Sequence, residues 1–326
     1  MARERLTIGT RGSRLALKQT ELVADLLRAA HPGLQIDLEI IQTKGDVILD
    51  RALSRIGDKG LFVTEIERAL LGGRIDLAVH SCKDLPSETP GDLTLAAFPA
   101  RADARDALIS SHDLSLDRLP RGARIGTSSL RRACQLRAYR PDFDVVDLRG
   151  NVDTRLRKAM AGDYDAVVLA AAGLERLALE AAITELLDPA VMLPAVAQGA
   201  LAVECQADDR EVVGLVAALD DRPTRLAVQA ERAFLARLQG GCQVPLAAYA
   251  TAVRGETADG AWALHLRGLV GTADGVQVIR GERCGADVEA CELGAGLAED
   301  LLRQGGDHIL ARLRQAVPAV EAPEAV

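Results

Sequence analysis

The sequence has little that would indicate a membrane, secreted or metal-binding protein. Its 326 residues contain no uninterrupted apolar run of the length that spans a bilayer, about 18 residues. The first residues, MARERLTIGTRG, are charged and lack the apolar segment of a signal peptide. The six cysteines form no CxxC pair and no metal-type spacing, which argues against a disulfide framework or a zinc site. We therefore expect a soluble, cytoplasmic protein with reduced thiols and no metal.

The chain also lacks a net positive charge, because its 39 basic residues are outnumbered by 47 acidic ones. The formal net charge is −8, which argues against a nucleic-acid partner, because neutralising phosphates requires a basic face. The charge is unevenly distributed, however, since residues 121–158 hold ten basic side chains against four acidic ones, a local charge of +6. This segment is expected to bind an anion.

The first two hundred residues repeat one pattern of strands and helices. RLTIGT (5–10) and ARIGTSS (123–129) are each a short β-type run followed by a polar turn, a helical pattern and a proline turn into a second strand. Gly-led segments at 72–85 and 162–175 then begin a further apolar strand. This alternation predicts parallel βαβ units in two related α/β domains, the second inserted after about residue 100. The first helix is expected to bury one apolar stripe, formed by Leu22, Val23, Leu26 and Leu27.

The last third of the chain has a different pattern. A helix is predicted to start at Asp221-Arg222-Pro223 and to stop at Gly240-Gly241, with one buried face formed by Leu226, Ala230, Phe234 and Leu238. The runs PLAAYATAV, WALHLRGLV and GVQVIRGERC predict an antiparallel meander. Residues 286–316 read as helical, with core positions at Leu297, Leu301, Ile309 and Leu313. The predicted class is therefore α/β with a small C-terminal α+β domain, ending in a disordered tail at 317–326.

Two turns between a strand and a helix are candidate anion sites. RGSR (11–14) and TSSLRR (127–132) each offer hydroxyls, backbone N–H groups at a helix start and arginines, which form paired bonds to carboxylate or phosphate. The alternative is that Ser13 and Ser129 simply cap their helices. Arg149 and Arg155 in DLRGNVDTR would extend the same basic surface, and several arginines together suit a ligand with several carboxylates.

The motif HSCKDLP (80–86) follows the apolar run IDLAVH. At the carboxyl end of a strand in an α/β domain, Asp84 could move a proton or stabilise a developing cation, and Lys83 could orient an anionic group. The alternative is a surface salt bridge between the two. His80 is expected to be a packed residue at the strand end. Lys59 and Phe62 follow a polar, Gly-containing stretch that is either a mobile loop or the lead into a helix.

Cys242 lies in LQGGCQVP, after the predicted end of a helix. A helix C-terminus raises a thiol pKa, and no acid-base partner is near in sequence, so Cys242 is not expected to be a catalytic nucleophile. An accessible thiol could instead attach a covalent group. The alternative is an incidental loop cysteine.

Long motifs in order resemble the porphobilinogen deaminase (hydroxymethylbilane synthase) family from about residue 5 to residue 312. They are HSCKDLP, GTSSLRRACQ (126–135), LRGNVDTR (148–155), LAAAGLERL (169–177), LPAVAQGALAVE (193–204) and ERAFLARLQGGCQVP (231–245). The resemblance implies two periplasmic-binding-protein-like domains around a cleft and a small domain that carries a cofactor cysteine. The implied boundaries are 1–100 plus about 195–219, 101–194 and 220–316.

The resemblance also implies a transferase of tetrapyrrole and haem biosynthesis. Such an enzyme joins four porphobilinogen molecules head to tail onto a dipyrromethane primer held by a thioether, with loss of ammonia, and then hydrolyses off hydroxymethylbilane. It implies that Asp84 is the catalytic carboxylate, that Cys242 attaches the cofactor and that the protein is a monomer. The implied cofactor- and substrate-binding residues are Arg11, Ser13, Lys83, Thr127, Ser129, Arg131, Arg132, Arg149, Arg155, Arg176 and Gln198.

One feature of the motif and one rival function bear on this interpretation. Cys82 lies within the implied catalytic motif, so thiol labelling would not report Cys242 alone. The rival is a two-domain anion-binding module that closes on a solute without chemistry. It explains the repeated domains and the arginines, but not HSCKDLP together with a third domain that presents a cysteine.

Overall fold

Three sheets organise the chain, one in each domain. The computed structural model describes residues 3–47, 63–239, 244–254 and 262–316. Lys59, Phe62, Gly240, Gly241, Cys242 and the tail at 317–326 lie outside the described residues. The predicted class, two α/β domains and a small α+β domain, is confirmed. The domain boundaries stay a prediction, because sheet membership does not fix where a domain starts or ends.

The first sheet has the order β2-β1-β3-β10-β4. Its strands are β1 (Arg5–Thr10), β2 (Gln35–Ile40), β3 (Leu77–Ser81), β4 (Leu93–Ala97) and β10 (Leu201–Gln206). The strands β1, β2 and β3 are parallel, whereas β10 runs antiparallel to both β3 and β4. The helices that accompany it are α1 (Arg14–Ala30), α2 (Lys44–Val47), α3 (Thr64–Leu71) and α7 (Arg210–Val216).

The second sheet repeats this arrangement, with the order β7-β6-β8-β5-β9. Its strands are β5 (Asp106–Ser110), β6 (Arg124–Gly126), β7 (Asp144–Val146), β8 (Ala166–Ala170) and β9 (Glu185–Leu186). The strands β6, β7 and β8 are parallel, and β5 is antiparallel to β8. The helices here are α4 (Leu130–Tyr139), α5 (Val152–Met160) and α6 (Ala171–Arg176). The chain passes between the two domains twice, around residue 100 and again before β10.

The third domain packs helices on one face of an antiparallel sheet. Its elements are α8 (Arg222–Arg237), β11 (Leu246–Arg254), β12 (Trp262–Gly271), β13 (Val278–Ala286), α9 (Ala290–Leu301) and α10 (Asp307–Ala316). The predicted buried faces of α8 and of the last helices lie in one apolar cluster, with Leu313 partly buried. The predicted helical segment 286–316 is two helices rather than one, because Gly305 takes a φ of 107° between them.

The stripe expected on α1 was partly wrong. Val23 and Leu27 are buried, but Leu22 and Leu26 are 46% and 40% exposed. The buried line of this helix runs instead through Thr20, Val23, Ala24 and Leu27. Leu22 and Leu26 each precede a buried residue by one position, which is a rotation of about 100° around the helix axis and turns them away from the buried face.

No helix among the described residues is long and apolar enough to cross a membrane. Within the same residues, no three His, Cys, Asp or Glu side chains come together as metal ligands would.

Candidate active-site cleft

A lysine and an aspartate are exposed to solvent at the end of β3. Cys82, Lys83 and Asp84 form a short 3-10 turn directly after the strand. Cys82 points into the core, whereas Lys83 and Asp84 are exposed and make no hydrogen bond or ion pair with the described residues. His80, as expected, is packed at the strand end, where its Nε2 lies 3.0 Å from a carboxylate oxygen of buried Glu204.

Lys83 lies where the two α/β domains face each other. Although its surface is open to water, the surrounding protein desolvates the ammonium and lowers its pKa to about 8, against the partial compensation of nearby Asp84. The charges of Arg131, Arg132 and Asp106 in the second domain also act on it. The charges at the first turn of α4 therefore reach the end of β3, and we refer to the space between these two elements as the cleft and to the elements as its walls.

The wall formed by α4 contains a buried carboxylate that the sequence analysis missed. Asp106, at the start of β5, is fully buried and accepts hydrogen bonds from Arg131 Nη1 at 2.6 Å and Arg132 Nη2 at 2.7 Å. Burial alone would raise the pKa of Asp106, but the two guanidinium charges outweigh burial and hold it well below its usual range. The only sequence signal was an acidic residue opening an apolar strand.

The two turns predicted as anion sites contain capped helices. The Ser13 hydroxyl accepts from the Ala16 N–H at 3.2 Å, and the Ser129 hydroxyl accepts from the Arg132 N–H at 3.4 Å. Capping is thus a role that both serines have in the structure. Thr127 is buried just before α4, and its hydroxyl accepts from the Ser129 N–H at 3.2 Å. Each turn lies at the carboxyl end of a parallel strand, where α/β sheets bind ligands.

Two further arginines of the second domain hydrogen-bond to backbone carbonyls. Arg155 donates from Nε to the Gly150 carbonyl at 2.8 Å, and Arg176 donates from Nη2 to the Gly199 carbonyl at 2.6 Å. Neither forms an ion pair within the described residues. Burial lowers the pKa of both to about 10, and the charge of Arg132 adds to this effect at Arg155.

The remaining predicted arginines already have partners. Arg149 donates from Nε to Asp147 at 2.8 Å, with its side chain 37% exposed. Arg11, at the end of β1, is half-buried and also has an interaction partner. Lys83, Arg155 and Arg176 are thus the predicted cations that form no ion pair with the described residues, although the charges of Asp84, Asp147 and Glu175 partly offset the desolvation of each. Desolvated cations without a directly bound carboxylate are costly to retain, so this set fits a ligand that brings its own carboxylates.

Gln198, in the second segment that crosses between the α/β domains, forms hydrogen bonds to the first crossing segment and to Asp106 of the cleft. Its Nε2 donates to the Ala104 carbonyl at 2.8 Å and to Asp106 at 3.0 Å. Its Oε1 is buried and has no hydrogen-bond partner among the described residues, which leaves an acceptor available to a donor group.

The same crossing is held by a second buried carboxylate that the sequence analysis missed. Glu231 of α8 accepts from Arg101 Nη1 at 2.6 Å and from the backbone N–H groups of Ala197 and Ala250 at 2.5 and 2.8 Å. It therefore ties both crossing segments to the third domain. Its partners lie far away in sequence, and no local pattern indicated it.

The described cysteines divide into buried and exposed ones. Cys82 is 1% exposed and burial raises its pKa to about 12, while burial raises the pKa of both Cys134 and Cys205 to about 11. Cys284 and Cys291 are exposed in the third domain. Cys82 is therefore a protonated, inaccessible thiol despite its position in the motif.

The described residues on either side of Cys242 belong to an apolar cluster that extends to the end of β3. Leu238 and Leu246, on either side of Cys242, belong to the same apolar cluster as Cys82 and Leu85. Cys82 and Leu85 in turn flank Lys83 and Asp84 in sequence.

Comparisons with known proteins agree over nearly the whole chain. Residues 6–214 match the model of "Porphobilinogen deaminase, dipyromethane cofactor binding domain", and residues 225–303 match "Porphobilinogen deaminase, C-terminal domain". A porphobilinogen deaminase of Roseiflexus sp. (strain RS-1) is 59% identical over 309 residues, covering 95% of this chain and 99% of the relative. One from Brevibacillus brevis is 52% identical, covering 94% and 96%. Among solved structures, a YaeC-family lipoprotein of Enterococcus faecalis gives a TM-score of 0.42 at 15% identity, covering 67% and 92%.

Proposed function

The chain belongs to the porphobilinogen deaminase family, and we propose that the cleft described above carries out the reaction of that family. The protein is a transferase of tetrapyrrole and haem biosynthesis. It joins four porphobilinogen molecules head to tail, releases ammonia at each step, and then hydrolyses off the linear tetrapyrrole hydroxymethylbilane. The observation that carries this proposal is the set of desolvated cleft cations, Lys83, Arg155 and Arg176, that form no ion pair within the described chain.

The cleft fits the dipyrromethane cofactor by the chemistry of its side chains. Each pyrrole ring bears an acetate and a propionate, and guanidinium groups bind such carboxylates through paired hydrogen bonds. Arg155 and Arg176, which form no ion pair within the described chain, supply such donors, and Lys83 adds an ammonium. We propose Arg11, Ser13, Thr127, Ser129, Arg131, Arg132, Arg149 and Gln198 as further binding residues. When bound, the cofactor supplies the free α-carbon to which the first porphobilinogen is joined.

Asp84 is proposed as the catalytic carboxylate. Loss of ammonia from porphobilinogen leaves a cationic azafulvene, and a carboxylate fixed close to the ring stabilises that cation as it forms. Asp84 is suited to this role because it follows a strand in a short turn and forms no ion pair or hydrogen bond with the described residues. Lys83, beside it, would bind a ring carboxylate and so orient the reacting ring.

The same carboxylate argues against the rival function. A module that only binds anions gains nothing from an unpaired carboxylate among its cations, because the carboxylate repels the ligand. An enzyme that generates a cation on a substrate with anionic side chains requires both a carboxylate, which stabilises the cation, and cationic residues, which bind the substrate side chains. The aspartate and the cations therefore support chemistry over binding alone.

Cys242 is proposed as the attachment point, through a thioether. Two observations support this: Leu238 and Leu246, on either side of it, belong to the same apolar cluster as Cys82 and Leu85 beside the catalytic turn, and the thiol of Cys82 is buried and protonated. Lys59 and Phe62 are proposed to belong to a loop beside the cleft. We also propose that the protein acts in the cytoplasm as a monomer without nucleic acid, which sedimentation of the purified enzyme tests.

Intact mass and product formation test the proposed function. The wild-type protein should carry the added mass of a dipyrromethane and convert porphobilinogen to hydroxymethylbilane. Cys242→Ser should lack that mass and form no product, whereas Cys82→Ser should retain both. A wild-type protein with the bare mass and no turnover would contradict the proposed reaction. Added mass that is lost in Cys82→Ser and kept in Cys242→Ser would show that the anchor is misassigned.

A further inference from the structure

An arginine in the sheet of the third domain forms hydrogen bonds to the second domain. Arg280 of β13 donates from Nη1 to the Ala190 carbonyl at 2.8 Å and from Nη2 to Gln135 Oε1 at 3.3 Å and the Val191 carbonyl at 3.4 Å. All of these acceptors belong to the second domain and none is a carboxylate. Arg280 thus holds a position between two domains through directional bonds to neutral oxygens.

The neighbouring β-turn between β12 and β13 is seated on α4. Arg137 of α4 donates from Nη1 to the Ala273 carbonyl at 2.7 Å. The approach is close at two glycines: a Cβ on Gly271 would lie 2.5 Å from Cys134 Sγ, and one on Gly275 would lie 2.6 Å from the Cys134 carbonyl oxygen. Only glycine allows this contact between backbone and helix.

Gln135 links Arg280 by hydrogen bonds to residues nearer the cleft. Its buried side chain accepts a hydrogen bond from the Leu193 N–H at 2.8 Å and donates one to the Leu193 carbonyl at 3.0 Å. The Leu193 carbonyl also accepts from Arg131 Nη1 at 2.8 Å. Arg131 in turn binds Asp106, which binds Arg132. One hydrogen-bonded network therefore runs from the third domain to the arginines of the cleft.

We propose that Arg280 and Gln135 are positioning residues for chain elongation, which fix the third domain relative to the arginines at the start of α4. This inference rests on the proposed function, in which the product grows from one cysteine of the third domain. Each added ring brings two carboxylates that the cleft must bind while the attachment point stays where it is. The distance between the attachment point and the cleft arginines stays fixed, so the number of carboxylate contacts that depend on this distance rises with every ring.

Loss of the Arg280 contacts should consequently affect late additions more than the first one. The third domain would stay attached, because Glu231 and the shared apolar cluster hold it independently. A general loss of stability, by contrast, would slow all additions alike. The distribution of ring numbers on the enzyme separates the two.

The experiment compares Arg280→Met with Arg283→Met, a matched control on the same strand. Arg283 binds Asp300 at 2.5 Å within the third domain and, among the described residues, makes no hydrogen bond to the second domain. Each holoenzyme is mixed with limiting porphobilinogen, and the enzyme species that carry one to four added rings are counted by mass. For Arg280→Met we expect the later intermediates to accumulate at least threefold and kcat to fall by about tenfold with KM nearly unchanged, since small misplacements of reacting groups act on rate. Arg283→Met should match the wild type.

A second variant keeps the test decisive if Arg280→Met does not fold or does not load its cofactor. Arg137→Met removes the bond to Ala273 in a turn that water can reach, and we expect the same shift toward late intermediates, to a smaller degree. A normal distribution in the variants that fold, or equal slowing of every addition, would overturn the positioning role while wild-type turnover leaves the proposed function intact. If the wild type and Arg283→Met both carry no cofactor and form no product, the proposed function is overturned and this inference with it.

Discussion

The charged side chains on the two walls of the cleft differ in whether they are paired. On the wall formed by α4, Arg131 and Arg132 are buried and bound to Asp106, so their positions are fixed before any ligand arrives. On the wall formed by the end of β3, Lys83 and Asp84 are exposed and unpaired within the described chain. The comparison separates two requirements: groups that define the shape of a site are held by internal counter-ions, whereas groups that react or bind must keep their charge available.

The largest effect is expected where the paired wall loses its counter-ion. Asp106→Asn would leave two buried guanidinium groups without a carboxylate, and breaking a buried pair in this way costs about 3–5 kcal/mol of unfolding free energy. Denaturant unfolding measures the change. Asp147→Asn is the control, because its partner Arg149 remains open to water and we expect a change below about 1 kcal/mol. Equal, small losses for both would mean that Asp106 does not hold this wall together.

The unpaired wall should respond in rate instead of stability. Asp84→Asn removes a charge that no described residue pairs with, so the denaturation midpoint should hardly move. Turnover should fall by about 10²–10³-fold, the scale on which a single stabilising group acts in a transition state. Steady-state kinetics on the cofactor-loaded variant measures it. Near-normal turnover would refute the assignment of Asp84.

The two arginines of DLRGNVDTR extend the comparison to a paired cation just before α5 and an unpaired one in its first turns. Arg155 forms no ion pair within the described chain, whereas Arg149 is bound to Asp147. Arg155→Leu should therefore weaken elongation by about 1.5–3 kcal/mol, the value of a charged hydrogen bond. Arg149→Leu should do less, since its charge is already partly satisfied. Stalled intermediates would be visible as discrete masses, and equal behaviour of the two variants would remove the distinction.

The smallest effect is confined to alkaline pH. The pKa of Lys83 is lowered to about 8, so the free enzyme loses this charge as the pH rises through that value. Loss of the charge weakens carboxylate binding, and kcat/KM should decline above pH 8 in the wild type. Lys83→Arg keeps its proton throughout this range and should abolish the decline. A decline that persists in Lys83→Arg would assign it to another group.

Local sequence patterns were sufficient for most of the fold. Strand and helix periodicities gave the repeated α/β domains and the meander, because those signals lie within one element. The error at Leu22 and Leu26 is of the same local kind: the pattern identified an apolar helix face, but the width of its contact depends on the sheet beneath it.

The cleft could be predicted only in part, for a physical reason. Lys83 and Asp84 were found because they lie next to each other at a strand end, and the family resemblance supplied their roles. Asp106 and Glu231 were missed because their partners lie 25 and 130 residues away along the chain. Such a pairing exists only once the domains are assembled, and no spacing rule reports it.

The second crossing of the chain also determines the order in which the sheets can be completed during synthesis. Every strand of the second sheet comes from residues 106–186, which leave the ribosome as one continuous stretch. The first sheet, by contrast, lacks its antiparallel strand until residue 206 has emerged, and β4 has no other strand to pair with. The edges of β3 and β4 are therefore unpaired while the inserted domain is made, and such edges are templates for wrong pairing. The domain that begins first is thus finished second, and its exposure to aggregation lasts as long as the synthesis of its neighbour.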